Sequence, residues 1–422
     1  MHTDSMGAAF FRDAAWLTAA RARAYLWIFA ILAAATLLAL VATAANGVDR
    51  NGALLGSDFL SFWTAGRMLH DGADVYGPGA HLAAQRSYFA SDDGYVAFFY
   101  PPPFLLWCYP LGALGYFPAL GVWLLGTGAA FVAAARQWLN ACRVRGWPLW
   151  LLVAAFPPVL LTVTHGQTAF LVAAALGLGT LLVRDRPILA GICFGLAIVK
   201  PQFGPLVPLV LLLTGRWRTI AAAAATALLL GAAATVAFGP DVWSAWREAG
   251  GGARAVLDGG TVGFAKLQSP FAAALLLGAP LGLAYAVQAG VALAVIAALC
   301  RAAWRKPWSL GLGAAMLAGA PLVTPFVLDY DLVLLAFPLL WLAGQGFGPY
   351  GKLIAALAFA TPAFARPLAL WAGLPITPFV LAALFAVVVR RALEHQSDAV
   401  SRGVPGSAGV NSNRADTFPP RA

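Results

Sequence analysis

Charge is what this 422-residue chain has least of: 10% of its residues are charged, against about 25% in a soluble domain. With 61% hydrophobic residues and a mean hydropathy of +0.78, a soluble fold is excluded. The composition is that of an all-α polytopic membrane protein. Cysteine is scarce too. Cys108, Cys142, Cys193 and Cys300 lie within or at the ends of apolar segments, without CxxC or ligand spacing. They read as small core hydrophobes, so neither a disulfide framework nor a metal site is implied. No HExxH, Walker loop, GxSxG or Cys/His cluster occurs, which removes the commonest zinc, phosphate-loop and serine-nucleophile chemistries. The formal net charge is +10, yet no basic patch is interleaved with exposed aromatics, so nucleic acid is not an expected partner. Arg and Lys instead punctuate the hydrophobic runs, as topology signals do.

What the chain does have is apolar length. Crossing a bilayer takes roughly 20 apolar residues, or about 17 at the short end. Candidate crossings are about 24–46, 117–139, 148–164, 167–183, 187–200, 202–214, 217–238, 281–303, 308–326, 329–343, 351–368 and 374–392. Alternating the chain through these twelve places Arg136/Arg143/Arg145, Arg184/Arg186, Arg216/Arg218, Arg301/Arg305/Lys306, Lys352 and Arg390/Arg391 on one side, the cytosol. Both termini are then cytosolic. No signal-peptide cleavage site stands out, and the first span, with Arg12, Arg21 and Arg23 before it, reads as an anchor. Two shorter apolar pieces, about 101–113 and 269–279, begin at proline, and as full crossings they would turn the Arg clusters outward. They are expected to be re-entrant or half-helices, which protein or a water-filled cavity must satisfy. The expected organisation is a cytosolic segment at 1–23, a membrane domain at 24–394 with outer loops at about 47–100 and 239–268, and a disordered cytosolic tail at 395–422, rich in Ser, Gly, Pro and Asn.

The first outer loop holds a polar island from Ser57 to Tyr76, with Asp58, Arg67, His70, Asp71 and Asp74. Ionisable groups beside a bilayer are costly, and function is the default explanation to test. Asp58 opens a helix with Phe59, Phe62, Trp63, Gly66 and Leu69 on one stripe, which reads as an amphipathic helix at the outer interface. Ser57 or Asp58 would cap it, and the positive helix end would keep the carboxylate ionised, as a general base needs. Two short turns share the outer face. Thr164-His165-Gly166-Gln167 carries a histidine and a turn glycine, and Val199-Lys200-Pro201-Gln202 carries a lysine at the end of a span. A snorkelling lysine is the plainer reading of Lys200, but its outer position opposes the charge rule, and an unpaired cation there suits an anionic ligand. Asp329-Tyr330-Asp331 looks like the metal-binding Asp-x-Asp of nucleotide-sugar enzymes. Residues i and i+2 of a helix do not share a face, however, and nucleotide sugars are cytosolic. Capping by one aspartate and exposure of the other to a cavity is the expectation.

The run Asp58-Phe59, Phe62-Trp63-Thr64-Ala65-Gly66, Val75-Tyr76, Phe99-Tyr100-Pro101-Pro102-Pro103, Gly166-Gln167, Lys200-Pro201-Gln202, and Pro325 followed by Tyr330-Asp331 resembles glycosyltransferase family 87. These are bacterial membrane proteins of GT-C fold that use polyprenyl-phosphate mannose. The resemblance covers roughly residues 20–395. It implies a hexosyltransferase of the bacterial inner membrane, acting on the periplasmic or exterior face, with a polyprenyl-phosphate sugar as donor, a glycolipid or glycan as acceptor, and no metal or other cofactor. It maps the family's catalytic base onto Asp58. The chain departs from the family at His165 and at Asp329-Tyr330-Asp331, differences that bear on the sugar and the acceptor and leave the chemistry as the resemblance implies it.

The chemistry follows from the donor. A sugar on phosphate already has its leaving group, so the enzyme must take a proton from the acceptor hydroxyl and neutralise the departing phosphate. Asp58 would do the first. Lys200, Arg67 or Lys266 would do the second. One base without a covalent intermediate gives inversion at the anomeric carbon. His165, Gln167, Gln202, Tyr76, Tyr100, Tyr330 and Asp331 are the residues expected to line the sugar or acceptor cavity. A secondary transporter or lipid or glycan flippase is the rival reading, since broken helices and buried charges fit it as well. Its paired halves and midplane site are not evident here, where the polar residues crowd one face. The topology is directly testable. With the native cysteines removed, single cysteines at Gln167, Lys200 and Asp331 should react with an impermeant thiol reagent in intact cells. Cysteines at Arg145 and Arg186 should not, and labelling at Arg186 would contradict the orientation.

Overall fold

The computed structural model describes residues 10–50, 52–89 and 96–401, with side chains as far as His395. Among them there is no strand, only three isolated bridges joining loops. Helix α1 (Ala19–Ala42) starts five residues earlier than its apolar run, because the Thr18 side chain accepts the Arg21 N–H and caps it. The first of the two long loops contains α2 (Phe59–His70) and α3 (Pro78–Tyr88). A single 3-10 turn, Pro102–Phe104, leads into the short α4 (Leu105–Gly112), followed by the long α5 (Tyr116–Ala141). The expected crossing at 148–164 is two helices, α6 (Leu149–Ala155) and α7 (Pro157–His165), broken at Phe156. The cause is Pro157-Pro158, which lack the N–H groups that would continue α6 and are suited to open α7.

Next come α8 (Ala169–Leu182), α9 (Pro187–Leu196), α10 (Leu206–Leu213) and α11 (Trp217–Phe238). Between α9 and α10 two 3-10 turns meet at Lys200. The second long loop contains α12 (Val242–Asp258) and leads to the seven-residue α13 (Pro270–Leu276). The chain ends with α14 (Leu281–Ala303), α15 (Leu310–Gly319), a 3-10 stretch at Asp329–Leu335 running into α16 (Ala336–Gln345), α17 (Gly351–Ala372) and α18 (Thr377–Ser401). Helix α18 takes in the first seven residues of the tail expected to be disordered; the rest of that tail lies outside the described residues. The two short proline-led apolar pieces are short helices, α4 behind its Pro102–Phe104 turn and α13 opening at Pro270.

Among the described residues, five helices are long and apolar enough to cross a membrane: α1, α5, α11, α14 and α17. Of the other expected crossings, 374–392 lies in the 25-residue α18, and the rest are shorter or broken. The core runs through α8 and α15; every residue from Gly311 to Gly319 is buried. A helix apolar all round belongs inside a larger assembly of helices. Helices α1 and α11 lie outermost, and Leu228 and Val236 of α11 stand 73% and 89% exposed. Such surface suits lipid rather than water.

The amphipathic helix expected in the first outer loop is corrected by the structure. Of the twelve residues of α2, nine are buried, Ser61 and Thr64 among them. Instead of lying half-exposed, α2 is enclosed by α3, α4 and α5. Phe62 meets the Tyr100 and Phe104 rings edge-on at 5.0 Å each, and Trp63 meets Tyr88 at 4.8 Å. The other side is closed by backbone contact: a Cβ on Gly66 would lie 2.0 Å from the Cys108 carbonyl oxygen, and one on Gly112 would lie 2.2 Å from the Gly66 carbonyl carbon. Only glycine at both positions lets α2 and α4 cross so closely. The helix that does carry an exposed polar face is α12, with only Ala249 and Leu257 buried. It is tied down by Trp243 to Thr235 (2.8 Å) and Trp246 to the Phe99 carbonyl (3.1 Å). Gly66→Ala is therefore expected to lower the melting temperature of the detergent-solubilised protein by several degrees, since overpacking costs about 1–3 kcal/mol. Gly121→Ala in α5, where a Cβ meets nothing within 4 Å, should be neutral or stabilising; equal effects at the two sites would refute the backbone crossing.

Candidate active site

Asp58 stands at the N-cap position of α2, but its side chain makes no cap bond. Its carboxylate is engaged elsewhere. The Gln167 amide donates to Asp58 Oδ2 at 2.6 Å. Tyr100 Oη donates to Gln167 Oε1 at 3.0 Å, and the Thr168 N–H donates to the same oxygen at 3.1 Å. With two donors on Oε1, the Gln167 NH2 is the end that must face the carboxylate. Asp58 is thereby held as an acceptor by a neutral donor, and among the described residues only the Ser57 hydroxyl, 3.4 Å away, reaches its other oxygen. That is a suitable arrangement for a base, because a carboxylate already ion-paired would be a weaker one.

The backbone reinforces this contact. Gly56 and Asp58 donate their N–H groups to the Thr164 and His165 carbonyls at 3.1 and 3.0 Å. Trp123 Nε1 donates to the Gly166 carbonyl at 3.0 Å, and Tyr116 Oη donates to the Leu55 and Gly56 carbonyls at 2.9 and 2.8 Å. The turn itself requires Gly166, which has φ +66° and would put a Cβ 2.6 Å from that of Phe59. Tyr76 supports from behind: its hydroxyl donates to the Tyr100 carbonyl at 2.8 Å, and burial holds the phenol neutral, raised above the ordinary tyrosine range.

A second centre lies at the end of the 3-10 turns before α10. Lys200 Nζ is 2.6 Å from Asp331 Oδ1, with the two side chains 6% and 3% exposed. Asp331 Oδ2 also accepts the Leu328 N–H at 3.2 Å, so Asp331 caps its 3-10 stretch and binds Lys200 at once. The Lys200 ammonium also sits 4.9 Å from the Tyr330 ring centre. The expectation of an unpaired cation is thus corrected: Asp331 already neutralises Lys200. The sequence had hidden the pairing because the partners are 131 residues apart. Asp329, buried, accepts the Tyr330 N–H at 2.9 Å and lies in the field of His165 and Arg366.

His165 ends α7 with its Nδ1 2.9 Å from the Leu161 carbonyl and 3.1 Å from Thr164 Oγ1. Its ring lies 5.7 Å from that of Tyr330, which links the two centres. Gln202 is half-buried beyond Lys200 and joins none of these bonds. Arg67 is turned away. It lies nine residues along α2 from Asp58, half a turn round the helix, against the Trp63 and Tyr88 rings (6.0 Å each) with Nη1 3.4 Å from the Gly112 carbonyl. Lys266 is exposed and lies in the field of Arg366, Asp58 and Asp329.

The model of glycosyltransferase family 87 matches residues 98–325, more than half of the chain. The chain belongs to that family. It is a membrane glycosyltransferase. No curated protein and no solved structure matches it. The matched stretch contains Tyr100, His165, Gln167, Lys200 and Lys266 but begins after Asp58 and ends before Asp329. The Gln167–Asp58 hydrogen bond joins the loop that carries α2 to the matched region of the glycosyltransferase.

Three residues escaped the sequence reading. Gln268 donates its N–H to the Val327 carbonyl (2.8 Å) and accepts from Thr377 Oγ1 (2.5 Å), and Gln288 donates to the Leu322 carbonyl (2.9 Å). A signal existed for the first, because Lys266-Leu267-Gln268-Ser269-Pro270 repeats the polar-then-proline pattern of the Lys200 turn. The buried pair makes a clear prediction for stability. Lys200→Met or Asp331→Leu alone leaves a buried charge unpaired and should cost about 3–5 kcal/mol. The double substitution should recover most of the lost melting temperature; a double variant as unstable as the sum of the singles would contradict a simple ion-pair clamp.

Proposed function

We propose that this glycosyltransferase transfers a hexose, mannose by analogy with the family, from a polyprenyl-phosphate donor to a glycolipid or glycan acceptor on the outer face of the bacterial inner membrane. It would do so through twelve crossings with both termini cytosolic. The observation that carries the reading is the Gln167–Asp58 hydrogen bond, relayed from Tyr100. It aims one carboxylate oxygen at the protein and leaves the other for an incoming hydroxyl. Asp58 takes the proton of the acceptor hydroxyl as that oxygen bonds to the anomeric carbon. The anomeric carbon–oxygen bond to phosphate breaks on the opposite side, and its electron pair leaves with the polyprenyl phosphate. The product is inverted, and each atom is accounted for without a nucleotide or a metal.

Several features support the assignment of parts. The Asp58 centre and the Asp329–Asp331 segment meet through His165 and Tyr330, so donor and acceptor would share one cavity. The aromatic set Phe62, Tyr100 and Phe104 behind Asp58 offers the low-dielectric wall against which electrostatic stabilisation is strongest. Lys200, neutralised by Asp331, is assigned to holding this cavity together.

The direct test is Asp58→Asn. The variant should insert and fold normally, keeping the wild-type melting temperature within a few degrees, because no cap bond is lost. Transfer from polyprenyl-phosphate mannose to a cell-envelope lipid extract should fall by about 10² to 10⁴-fold. Near-normal turnover in the folded variant would remove Asp58 from the mechanism.

A further inference from the structure

Helix α12 is weakest at its midpoint. Gly250-Gly251-Gly252 interrupts it there, and each glycine in a helix interior weakens the helix about five-fold relative to alanine. Packing does not demand the first two, since a Cβ on Gly250 or Gly251 would meet nothing within 4 Å. The two halves that the glycines separate rest on different cores. Val242, Ala245, Trp246 and Ala249 pack into the hydrophobic cluster built by α2, α4 and the start of α5, whereas Leu257 belongs to the main core with α8 and α15. Each half also has its own polar tether. Trp243 and Trp246 hold the first to Thr235 and to the Phe99 carbonyl, and Tyr285 Oη donates to Asp258 Oδ1 at 2.5 Å at the end of the second. A helix fixed at both ends on separate bodies, and weakest between them, bends there first.

The Trp246 tether reaches the hydrogen bonds behind Asp58. Residues 96–101 form neither helix nor strand, and Pro101-Pro102-Pro103 have no N–H to contribute, so this segment depends on side chains from elsewhere. Trp246 Nε1 donates to the Phe99 carbonyl at 3.1 Å, and Tyr76 Oη donates to the Tyr100 carbonyl at 2.8 Å. The Phe99 ring also lies against α12, 3.7 Å from where a Gly252 Cβ would stand. Next in the chain is Tyr100, whose hydroxyl donates to Gln167 at 3.0 Å, and Gln167 donates to Asp58 at 2.6 Å.

We propose that Trp246 is a positioning residue for sugar transfer and that α12 is the hinged strap that carries it. Trp246 holds Phe99, and through it Tyr100 and Gln167, in register with Asp58. The glycines let the first half of α12 move with the Asp58 loop as substrate enters and product leaves, without unseating the second half. The inference rests on the glycosyl-transfer reading above. Trp246 touches no reacting atom. Its effect is on the placement of the carboxylate, so it bears on the chemical step more than on substrate binding.

The test uses the full-length protein in detergent. Trp246→Phe keeps an aromatic ring and loses the N–H. It should lower kcat about two- to ten-fold, with donor KM and melting temperature close to wild type. Placed on Tyr100→Phe, which already cuts the link to Gln167, it should add little further loss. Gly250→Ala/Gly251→Ala should raise the melting temperature by a few degrees and yet lower kcat, by about five-fold for each glycine. Amide hydrogen exchange gives a readout that needs no substrate. Residues 250–253 should be protected about ten-fold less than residues 246–249 in wild-type protein, and the double alanine variant should close that gap. Unchanged kcat in Trp246→Phe, full additivity with Tyr100→Phe, a stiffened α12 that turns over as fast as wild type, or uniform protection along α12 would each overturn the inference. Its failure is separable from failure of the transfer reading: wild-type protein that transfers sugar while Trp246→Phe matches it defeats the inference alone, whereas wild-type protein that transfers no sugar from any prenyl-phosphate donor defeats the reading beneath it.

Discussion

The buried ion pair between Lys200 and Asp331 is the constraint around which the candidate site is arranged. A charge taken out of water inside a lipid-embedded protein must be compensated, and breaking such a pair costs far more than it contributes when intact. Asp331 spends one oxygen on Lys200 and the other on the Leu328 N–H. It therefore fixes the 3-10 turns before α10 against the stretch that leads into α16. That stretch places Tyr330 beside His165 and Leu328 beside Leu267. Through it the Lys266 loop and the His165 turn are held in register, and the His165 turn is the platform on which Asp58 is mounted.

On that platform the two kinds of polar group are treated differently. The structural carboxylate, Asp331, is fully buried and paired with a cation. The proposed base, Asp58, is only half-buried and receives a neutral amide. A hydrogen bond from an amide orients a carboxylate without supplying the positive charge that would suppress its basicity. The division explains why two aspartates on one face of one protein suit opposite purposes. It also explains the surplus of aromatic donors, Tyr100, Tyr116 and Trp123, whose polar ends serve backbone carbonyls and the Gln167 amide while their rings fill the wall behind.

Much of this was legible in the chain itself. The apolar runs marked nearly every helix, and the prolines at Pro102 and Pro270 marked two short helices, because a proline's effect on its own helix is local. Asp58, Gln167 and Lys200 stood out as polar residues in places where lipid or protein should surround them. What the sequence hid was tertiary. The stripe on α2 reads as one buried face, yet the whole helix is enclosed, since its fit to α4 depends on Gly66 and Gly112 meeting across 46 residues. Periodicity carries no information about such a meeting. The partner of Lys200 was invisible for the same reason, and Arg67 misled because a charge beside a motif says nothing about which side of the helix it occupies.

The central claim is that a single carboxylate deprotonates the acceptor while the phosphate departs from the opposite side of the sugar. The stereochemistry of the product tests this most directly. Wild-type protein supplied with a prenyl-phosphate mannose of defined anomeric configuration should yield, by nuclear magnetic resonance of the isolated glycolipid, only the opposite configuration. A product that retains the donor's configuration, or a sugar found covalently attached to Asp58, would contradict the account.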